Sequence, residues 1–417
     1  MAHRKNNNLH VVRDAEELAR RFAGFGKKEP DQQDSETEEL EEQVRQHRKA
    51  VRRKTVIAVL SVLTVAIAVF LIIYLQTYTK VRVADTYAKA GAAEGNYEQF
   101  ARGVLKYSRD GISYLNQKGE EKWNQPYQLK NPFVVVNDVS AIAADKGGND
   151  ILVFQESGLK GEIHTTLPIE KASVSEQGIV CAILKNDSAP VIICYDTAGN
   201  ILVEHKTSVT GTGYPMEASI SPDGKVMQVV YLYTQDGNLT SKVGYYNFDK
   251  EGEGKTDRLV TDVSYEGTLM ATGFFMNQKT SVVIGDDKMV IFKGAAAPEE
   301  AVSVKIDKEI KSIFHNEKYI GMILKNEGKG GYELRLYNAS GKQALSKDFT
   351  GDYNNVKMCD DQIIMYNGKQ CNIFTRTGME RFAGEMNNNI MEIFPVAGVN
   401  KYIVMNANGM EIVRLVK

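Results

Sequence analysis

The chain has 417 residues, of which 43% are hydrophobic and 25% charged, with a formal net charge of -2. A charge this close to neutral excludes a polyelectrolyte and gives no support to nucleic-acid binding. Four cysteines are too few for a disulfide scaffold or a zinc-cluster protein. The length fits two or three domains or one large all-β unit.

Residues 1–54 form a charged N-terminal tail, which we expect to be cytoplasmic. Acidic residues dominate Glu29–Glu42 and basic residues dominate Arg45–Lys54. Ser35 and Glu38 have the spacing of a capping box, which predicts a charged helix running into the next segment. Such a tail could be a solvated helix with topology-setting charges, or a switch that binds lipid headgroups or a cytoplasmic protein.

A second, short helix is predicted over Asp14–Phe25. Leu18, Phe22 and Phe25 fall on one face of it, and this face would need a protein partner or the membrane surface unless its amphipathicity is accidental. The polar sequence around Pro30 predicts a flexible joint between the two helices.

Residues 55–75 read TVIAVLSVLTVAIAVFLIIYL and contain no charge, Gly or Pro. As a helix this segment spans about 30 Å, the thickness of a bilayer core, so we predict one transmembrane helix. A buried core helix and a cleaved signal peptide are the alternatives. Positive charges cluster before the span, which predicts a cytoplasmic N-terminus and an extracytoplasmic location, at the cell membrane, for residues 76–417.

The segment 76–99 is rich in Ala and Gly and predicts a short stalk, helical over Lys80–Gln99. Residues 100–417 show short apolar runs separated by Gly, Asp and Asn, which are typical of strands. The runs recur about every 40 residues. A third strand and its turn begin at Tyr114, Val153, Cys194, Tyr246, Ile291, Leu336 and Ile373.

Four strands per repeat predict an all-β fold, a β-propeller of about eight four-stranded blades, with seven as the alternative. The last unit, Met391–Val416, lacks a fourth strand. Closure of the ring should therefore use a strand from residues 80–101. A β-sandwich or two stacked β-domains are the other architectures consistent with the pattern.

Several motifs resemble known propellers. The sequence SISPDGK at Ser219–Lys225 resembles the turn between first and second blade strands, and NQKGEEKW at Asn116–Trp123 resembles one repeat of pyrroloquinoline-quinone-type propellers. Repeats of this kind also resemble tryptophan-aspartate-type blades. Since Trp123 is the one Trp of the chain, a quinone enzyme is not expected.

The whole arrangement is similar to an uncharacterised family of membrane-anchored, propeller-like proteins from Gram-positive anaerobic bacteria. The likeness rests on RDGISYLNQKG at Arg109–Gly119, GYPMEASISPDGK at Gly213–Lys225, TDRLV at Thr256–Val260 and IKSIFHNEKYIG at Ile310–Gly321. It implies the architecture and supplies no active site.

No catalytic, cofactor-binding or metal-ligating residue can be assigned from the sequence. GEGKT at Gly252–Thr256 resembles the end of a phosphate-binding loop but lacks the preceding Gly and lies between predicted strands. Acids at Asp249, Glu251 and Glu253 resemble the start of a calcium loop, yet Val260 stands where Glu is required. We interpret this segment as a solvated hairpin loop, with a weak calcium site as the alternative.

The remaining candidates are isolated side chains. His164, His205 and His315 lie far apart in sequence and have no metal-ligand spacing. The pairs Asp286–Asp287 and Asp360–Asp361 have the character of turn residues.

In an antiparallel hairpin the residue numbers of opposed residues have a constant sum. If Leu184 pairs with Val191 this sum is 375, and Cys181 then faces Cys194. A disulfide is one outcome in an oxidising compartment, but we expect two buried free thiols, since a slip of one residue separates the pair. A turn at Asn367–Gly368 would pair Cys371 with Ile364.

We therefore expect a non-catalytic binding or scaffold module for an envelope protein, peptide or glycan, anchored by one span and with a further cytoplasmic partner for its tail. The alternatives are an extracytoplasmic hydrolase or lyase with carboxylates in the channel, and a signal-transducing receptor whose tail is the output. Facing carboxylates in a deep channel would favour the enzyme.

Overall fold

The computed structural model describes residues 30–74, 76–88, 95–208, 211–235, 237–328, 330–398 and 400–417. The chain divides into two compact units, Met1–Gln76 and Thr77–Lys417. The predicted short helix Asp14–Phe25 lies outside the described residues.

In the first unit, helix α1 (Pro30–Tyr74) is continuous and carries the charged segment directly into the apolar one, as predicted. It begins at Pro30, before the predicted capping box at Ser35, because proline loses no hydrogen bond in the first turn of a helix. The flexible joint was expected around Pro30; Pro30 and the residues after it are helical up to Tyr74, and the residues before it lie outside the described part of the chain.

The apolar part of α1 is, among the described residues, the one helix long and apolar enough to cross a membrane, over Val44–Ile72. Its hydroxyl groups bond to the preceding turn: Thr55, Ser61 and Thr64 donate to backbone carbonyls at 2.9, 2.8 and 2.8 Å. These bonds satisfy the hydroxyl groups of Thr55, Ser61 and Thr64 within the helix itself. Leu75, the last residue of the predicted span, lies outside the described residues.

The second unit consists of eight four-stranded antiparallel sheets, so the eight-blade prediction is confirmed and the seven-blade alternative is wrong. Blade 1 holds β2 (Asn96–Phe100), β3 (Gly103–Tyr107), β4 (Gly111–Leu115) and β5 (Glu121–Pro126). Blade 2 holds β6 (Pro132–Val136), β7 (Ser140–Asp145), β8 (Asp150–Gln155) and β9 (Gly158–His164). Blade 3 holds β10 (Ile169–Val174), β11 (Val180–Leu184), β12 (Val191–Tyr195) and β13 (Ile201–Lys206). Blade 4 holds β14 (Tyr214–Ile220), β15 (Val226–Gln235), β16 (Asn238–Asn247) and β17 (Leu259–Glu266).

The other four blades follow the same order. Blade 5 holds β18 (Met270–Asn277), β19 (Thr280–Gly285), β20 (Lys288–Lys293) and β21 (Glu299–Lys305). Blade 6 holds β22 (Ile310–His315), β23 (Tyr319–Lys325), β24 (Tyr332–Asn338) and β25 (Gln343–Phe349). Blade 7 holds β26 (Asn355–Cys359), β27 (Gln362–Asn367), β28 (Gln370–Thr375) and β29 (Glu380–Glu385). Blade 8 holds β30 (Glu392–Pro395), β31 (Lys401–Asn406), β32 (Gly409–Val416) and β1 (Lys80–Ala88).

Strand β1 closes the ring, as the missing fourth strand of the last repeat predicted. It pairs antiparallel with β32 from Lys80 opposite Val416 to Ala88 opposite Gly409. The helix expected over Lys80–Gln99 is wrong, because β1 and β2 occupy 80–88 and 96–100. The reason is the open edge of β32, which offers β1 a full ladder of backbone hydrogen bonds.

The apolar core lies between the blades. One cluster joins blade 6 to blade 7 through Leu334, Leu336, Ile363 and Met365. Trp123 of blade 1 stacks on Phe154 of blade 2, with ring centroids 5.2 Å apart and planes 4° from parallel. Each sheet therefore buries both faces against its neighbours, which explains why the strands read as continuous apolar runs.

Antiparallel order gives the ring two different faces. One face carries the loops that join second to third strands and those that join each fourth strand to the next blade. We call it the loop face. The turn face carries the turns from first to second and from third to fourth strands, including the predicted turn Pro222–Gly224. Gly224 has φ +71°, and a Cβ there would lie 2.5 Å from Ile179 Cδ1 of blade 3.

Since β1 starts at Lys80 beside Val416, the chain enters the ring at the turn face.

Residues 77–79, the entry segment, run along the outer edge of blade 7 before β1 begins. Thr77 Oγ1 donates to the Glu380 carbonyl at 2.8 Å, and the Tyr78 N–H donates to the Arg381 carbonyl at 2.9 Å. Tyr78 is also paired in parallel with Phe382. The entry segment is therefore part of the propeller unit and is bonded to β29.

Candidate ligand-binding cleft

First strands of neighbouring blades contact one another and so line the central channel. At blades 7, 8 and 1 this wall carries Lys357, Glu392 and Glu98. Lys357 forms an ion pair with Glu392. Burial raises the pKa of Glu98, and Lys357 opposes that rise. Burial lowers the pKa of Lys357 itself.

At blades 3 and 4 as well, the acidic side chains of the channel wall have partners. Lys171 Nζ lies 2.9 Å from Glu217 Oε2, and the Tyr214 hydroxyl donates to Glu170 Oε1 at 3.1 Å. These carboxylates are partnered by lysine or phenol groups and not by each other.

A cleft of about 670 Å³ opens between blades 6 and 7, at the loop face. Blade 6 contributes the end of β25, including Lys347 and Phe349, and the loop to blade 7 contributes Tyr353. Blade 7 contributes the third-strand residues Asn372 and Phe374 and the fourth-strand residues Glu380 and Ala383. The cleft is large enough for a side chain or a small ligand.

Asn372 is the polar group of this cleft that its surroundings leave unsatisfied. The residue is 5% exposed, and its Oδ1 is buried without a hydrogen-bond partner. Its Nδ2 donates to Glu380 Oε2 at 3.3 Å. A buried acceptor without a donor costs about 1–3 kcal/mol, and a ligand donor recovers that energy where a shift of the side chain turns Oδ1 toward the cleft.

Aromatic rings form one wall. The ring centroid of Phe349 lies 6.1 Å from that of Tyr353 and 6.3 Å from that of Phe374. Phe349 and Phe374 are buried, whereas Tyr353 is half-buried. Burial raises the pKa of Tyr353, while the amide of Asn372 beside it opposes the rise. The phenol of Tyr353 is therefore neutral at pH 7. Because Phe349 and Phe374 are buried, Tyr353 is the residue of these three whose ring a ligand can contact.

Residues 74–415 match a protein family described as a family of unknown function, DUF5711. This chain belongs to the DUF5711 family. The match includes the entry segment, β1 and the cleft of the DUF5711 chain. No curated protein matches the sequence.

Several solved structures are similar to this chain at low identity. BamB from Moraxella catarrhalis is 12% identical with a TM-score of 0.46, over 81% of this chain and 98% of its own. Apo AztD from Citrobacter koseri is 8% identical with a TM-score of 0.47, over 71% of this chain and 87% of its own. Hydrazine synthase from Kuenenia stuttgartiensis is 11% identical with a TM-score of 0.42, over 80% of this chain and 99% of its own.

The acidic loop of the DUF5711 chain is a connection between β16 and β17, as predicted, and contains two short 3₁₀ turns, Lys250–Gly252 and Thr256–Arg258. Asp249 caps the first turn and pairs with Lys225 at 2.7 Å. In the part of the chain that the structure describes, no group of three or more His, Cys, Asp or Glu could hold a metal ion.

His164, His205 and His315 lie on three different blades. His164 bonds to Asp150 at 2.7 Å, and His205 bonds to the Tyr231 hydroxyl at 2.9 Å. His315 stacks on Phe274 at a centroid distance of 3.7 Å, and desolvation lowers its pKa. Both aspartate pairs, 286–287 and 360–361, occupy turns, as predicted.

The cleft was not found from the sequence because its residues belong to two repeats and no motif joins them. One signal was present. In the aligned third strands, Asn372 stands where blades 2, 3 and 5 place the buried aliphatic residues Leu152, Ile193 and Val290. A polar side chain at a core position of a repeat indicates a local function.

Proposed function

We propose that this DUF5711 chain is a membrane-anchored propeller that binds an envelope protein, peptide or glycan outside the cytoplasm, without catalysing a reaction on it. The observation that carries the proposal is the unsatisfied Oδ1 of Asn372 in an aromatic-walled cleft. The cleft opens on the loop face, and one of its lining residues, Glu380, is bonded through its carbonyl to Thr77 of the entry segment.

Two features support the proposed topology. The basic residues between Arg45 and Lys54 precede the apolar segment, in agreement with a cytoplasmic N-terminus. Cys181 and Cys194 form a disulfide, which is a bond of oxidising compartments. We propose in addition that the charged tail contacts a cytoplasmic or membrane partner.

A receptor role is the second candidate, and the entry segment favours it. Strand β29 carries Glu380 of the cleft and bonds along its outer edge to Thr77 and Tyr78. A partner that shifts β29 would therefore act on the residues through which the chain enters the ring.

The proposal is tested by site-specific photo-crosslinking in intact cells. We expect full-length protein with p-benzoylphenylalanine in place of Tyr353 to crosslink to a discrete partner, and Asn372→Leu in the same background to abolish the product. Tyr214, a channel residue that is 38% exposed, is the matched control position. Crosslinking at Tyr214 alone would move the binding site to the channel, and no crosslinking at either position would contradict the proposal.

A further inference from the structure

The charges of the cleft favour a cation. Glu380 and Asp348 supply two carboxylates to its lining and Lys347 supplies one ammonium group. Asp348 Oδ1 already accepts from Asn326 Nδ2 at 3.0 Å. One net negative charge therefore remains in the lining of the cleft, carried by Asp348 and Lys347, which are exposed, and by Glu380, which is half-buried. An opposite charge on a ligand would complement it.

The acceptors are adjacent. The amide of Asn372 and the carboxylate of Glu380 are joined by the 3.3 Å bond from Nδ2 to Oε2. Two acceptors, the amide Oδ1 and the second carboxylate oxygen, therefore belong to one connected pair of side chains. A ligand group with several N–H donors in a fixed fork can serve both acceptors, whereas a single hydroxyl serves one.

The ring of Tyr353 supplies the third element. A planar cation stacks favourably on an aromatic face, and the attraction grows as the site is desolvated. Guanidinium is planar, always charged and more weakly hydrated than ammonium, so it suits an aromatic wall better than lysine does.

Building on the proposed function, we infer that the cleft between blades 6 and 7 binds a guanidinium group, the side chain of an arginine presented by the partner. Glu380 and Asn372 accept its hydrogen bonds, and Tyr353 stacks on its plane. The partner is accordingly a protein or peptide with an exposed arginine and not a neutral glycan.

The test compares two short peptides of nearly equal shape, one with a charged guanidinium group and one with the neutral ureido group of citrulline. Acetyl-Gly-Arg-Gly-amide and its citrulline counterpart are titrated by saturation-transfer NMR against the full-length protein in nanodiscs, with the lysine peptide as a third ligand. We expect the arginine peptide to bind about tenfold more tightly than the citrulline peptide, because charge-assisted hydrogen bonds are lost with the charge.

Variants assign the effect to the cleft. Glu380→Gln keeps the shape of the side chain and should weaken arginine binding about tenfold. Glu299→Gln removes the same charge from the first residue of β21, a fourth strand outside the cleft, and should leave binding unchanged. Equal affinity for arginine and citrulline, or no effect of Glu380→Gln, would overturn the inference.

The peptide titration can fail without contradicting the proposed function. If no arginine peptide binds while crosslinking at Tyr353 persists, the guanidinium assignment is wrong and a binding role in the cleft stands. If a neutral glycan or the lysine peptide competes better for the crosslink than arginine, that ligand replaces guanidinium.

Discussion

Glu333 on β24 is a buried carboxylate held by three side chains. Arg335 Nε and Nη2 lie 2.6 and 2.9 Å from its oxygens, Lys308 Nζ lies at 2.6 Å and Ser346 Oγ at 2.7 Å. Arg335 also donates to Asp307 at 2.6 Å. Burial by itself raises the pKa of Glu333, but these hydrogen bonds outweigh it and lower the pKa to about 2.

Because the pKa of Glu333 is lowered in the folded protein, we predict that the unfolding free energy decreases in acid. The ion pairs of Glu333 contribute fully above about pH 4.5, the ordinary value, and are lost as the pH falls through about 2. We expect Glu333→Gln to lower the thermal midpoint at pH 7, with a loss of about 3 kcal/mol in unfolding free energy. The difference in unfolding free energy between wild type and variant should decrease as the pH is lowered from 5 to 2, as measured by calorimetry.

Glu299→Gln, which changes an exposed glutamate, is the control and should follow the wild type at every pH. A gap that stays constant down to pH 2 would show that Glu333 acts through packing and not through its charge.

The cysteines show how far residue-scale prediction reaches. The register that pairs Cys181 with Cys194 is confirmed, but the expected free thiols are wrong, because the two residues are bridged with Cα atoms 4.2 Å apart. Cys371 pairs with Tyr366, not Ile364, since the turn lies one residue later than Asn367–Gly368. Both faces of this hairpin are buried, so its sequence has no alternation to fix the register.

At the scale of elements, ring closure depends on the pairing of β1 with β32. Removing residues 391–417 leaves β1 without a partner and uncovers the apolar faces of blades 7 and 1 that pack against blade 8. We expect this truncated protein to aggregate or to be degraded, measured by size-exclusion chromatography and limited proteolysis.

Removal of Lys417 alone is the matched control, because this exposed residue follows the last strand. A monomeric, protease-resistant product of the longer truncation would contradict the importance of closure.

The elements themselves were largely predictable. The period of four strands, the turn at Pro222–Gly224 and the source of the closing strand all follow from apolar runs and turn residues. The cleft was not predictable, because interblade distances depend on how Phe349, Tyr353 and Phe374 pack together. Nor could the sequence show that Asn372 would lack a partner, since that depends on the positions of its neighbours.

For the whole molecule, the charge bias around α1 predicts one orientation. A reporter that is active only in the cytoplasm should work when fused at residue 1 and fail when fused at residue 417. Paired fusions with a reporter active only outside the cytoplasm should give the opposite pattern. Cytoplasmic activity at residue 417 would reject the orientation and the proposed site of binding with it.

The double attachment of the entry segment and β1 has a mechanical consequence. Tension applied to the chain ahead of Thr77 reaches blade 7 through Thr77 and Tyr78 and blade 8 through the ladder from Lys80 to Ala88. The load is shared by two blades from the first residue of the unit. A force that pulls residues 77–88 away from the propeller must strip the strand that closes the ring, so this force acts directly on the closure.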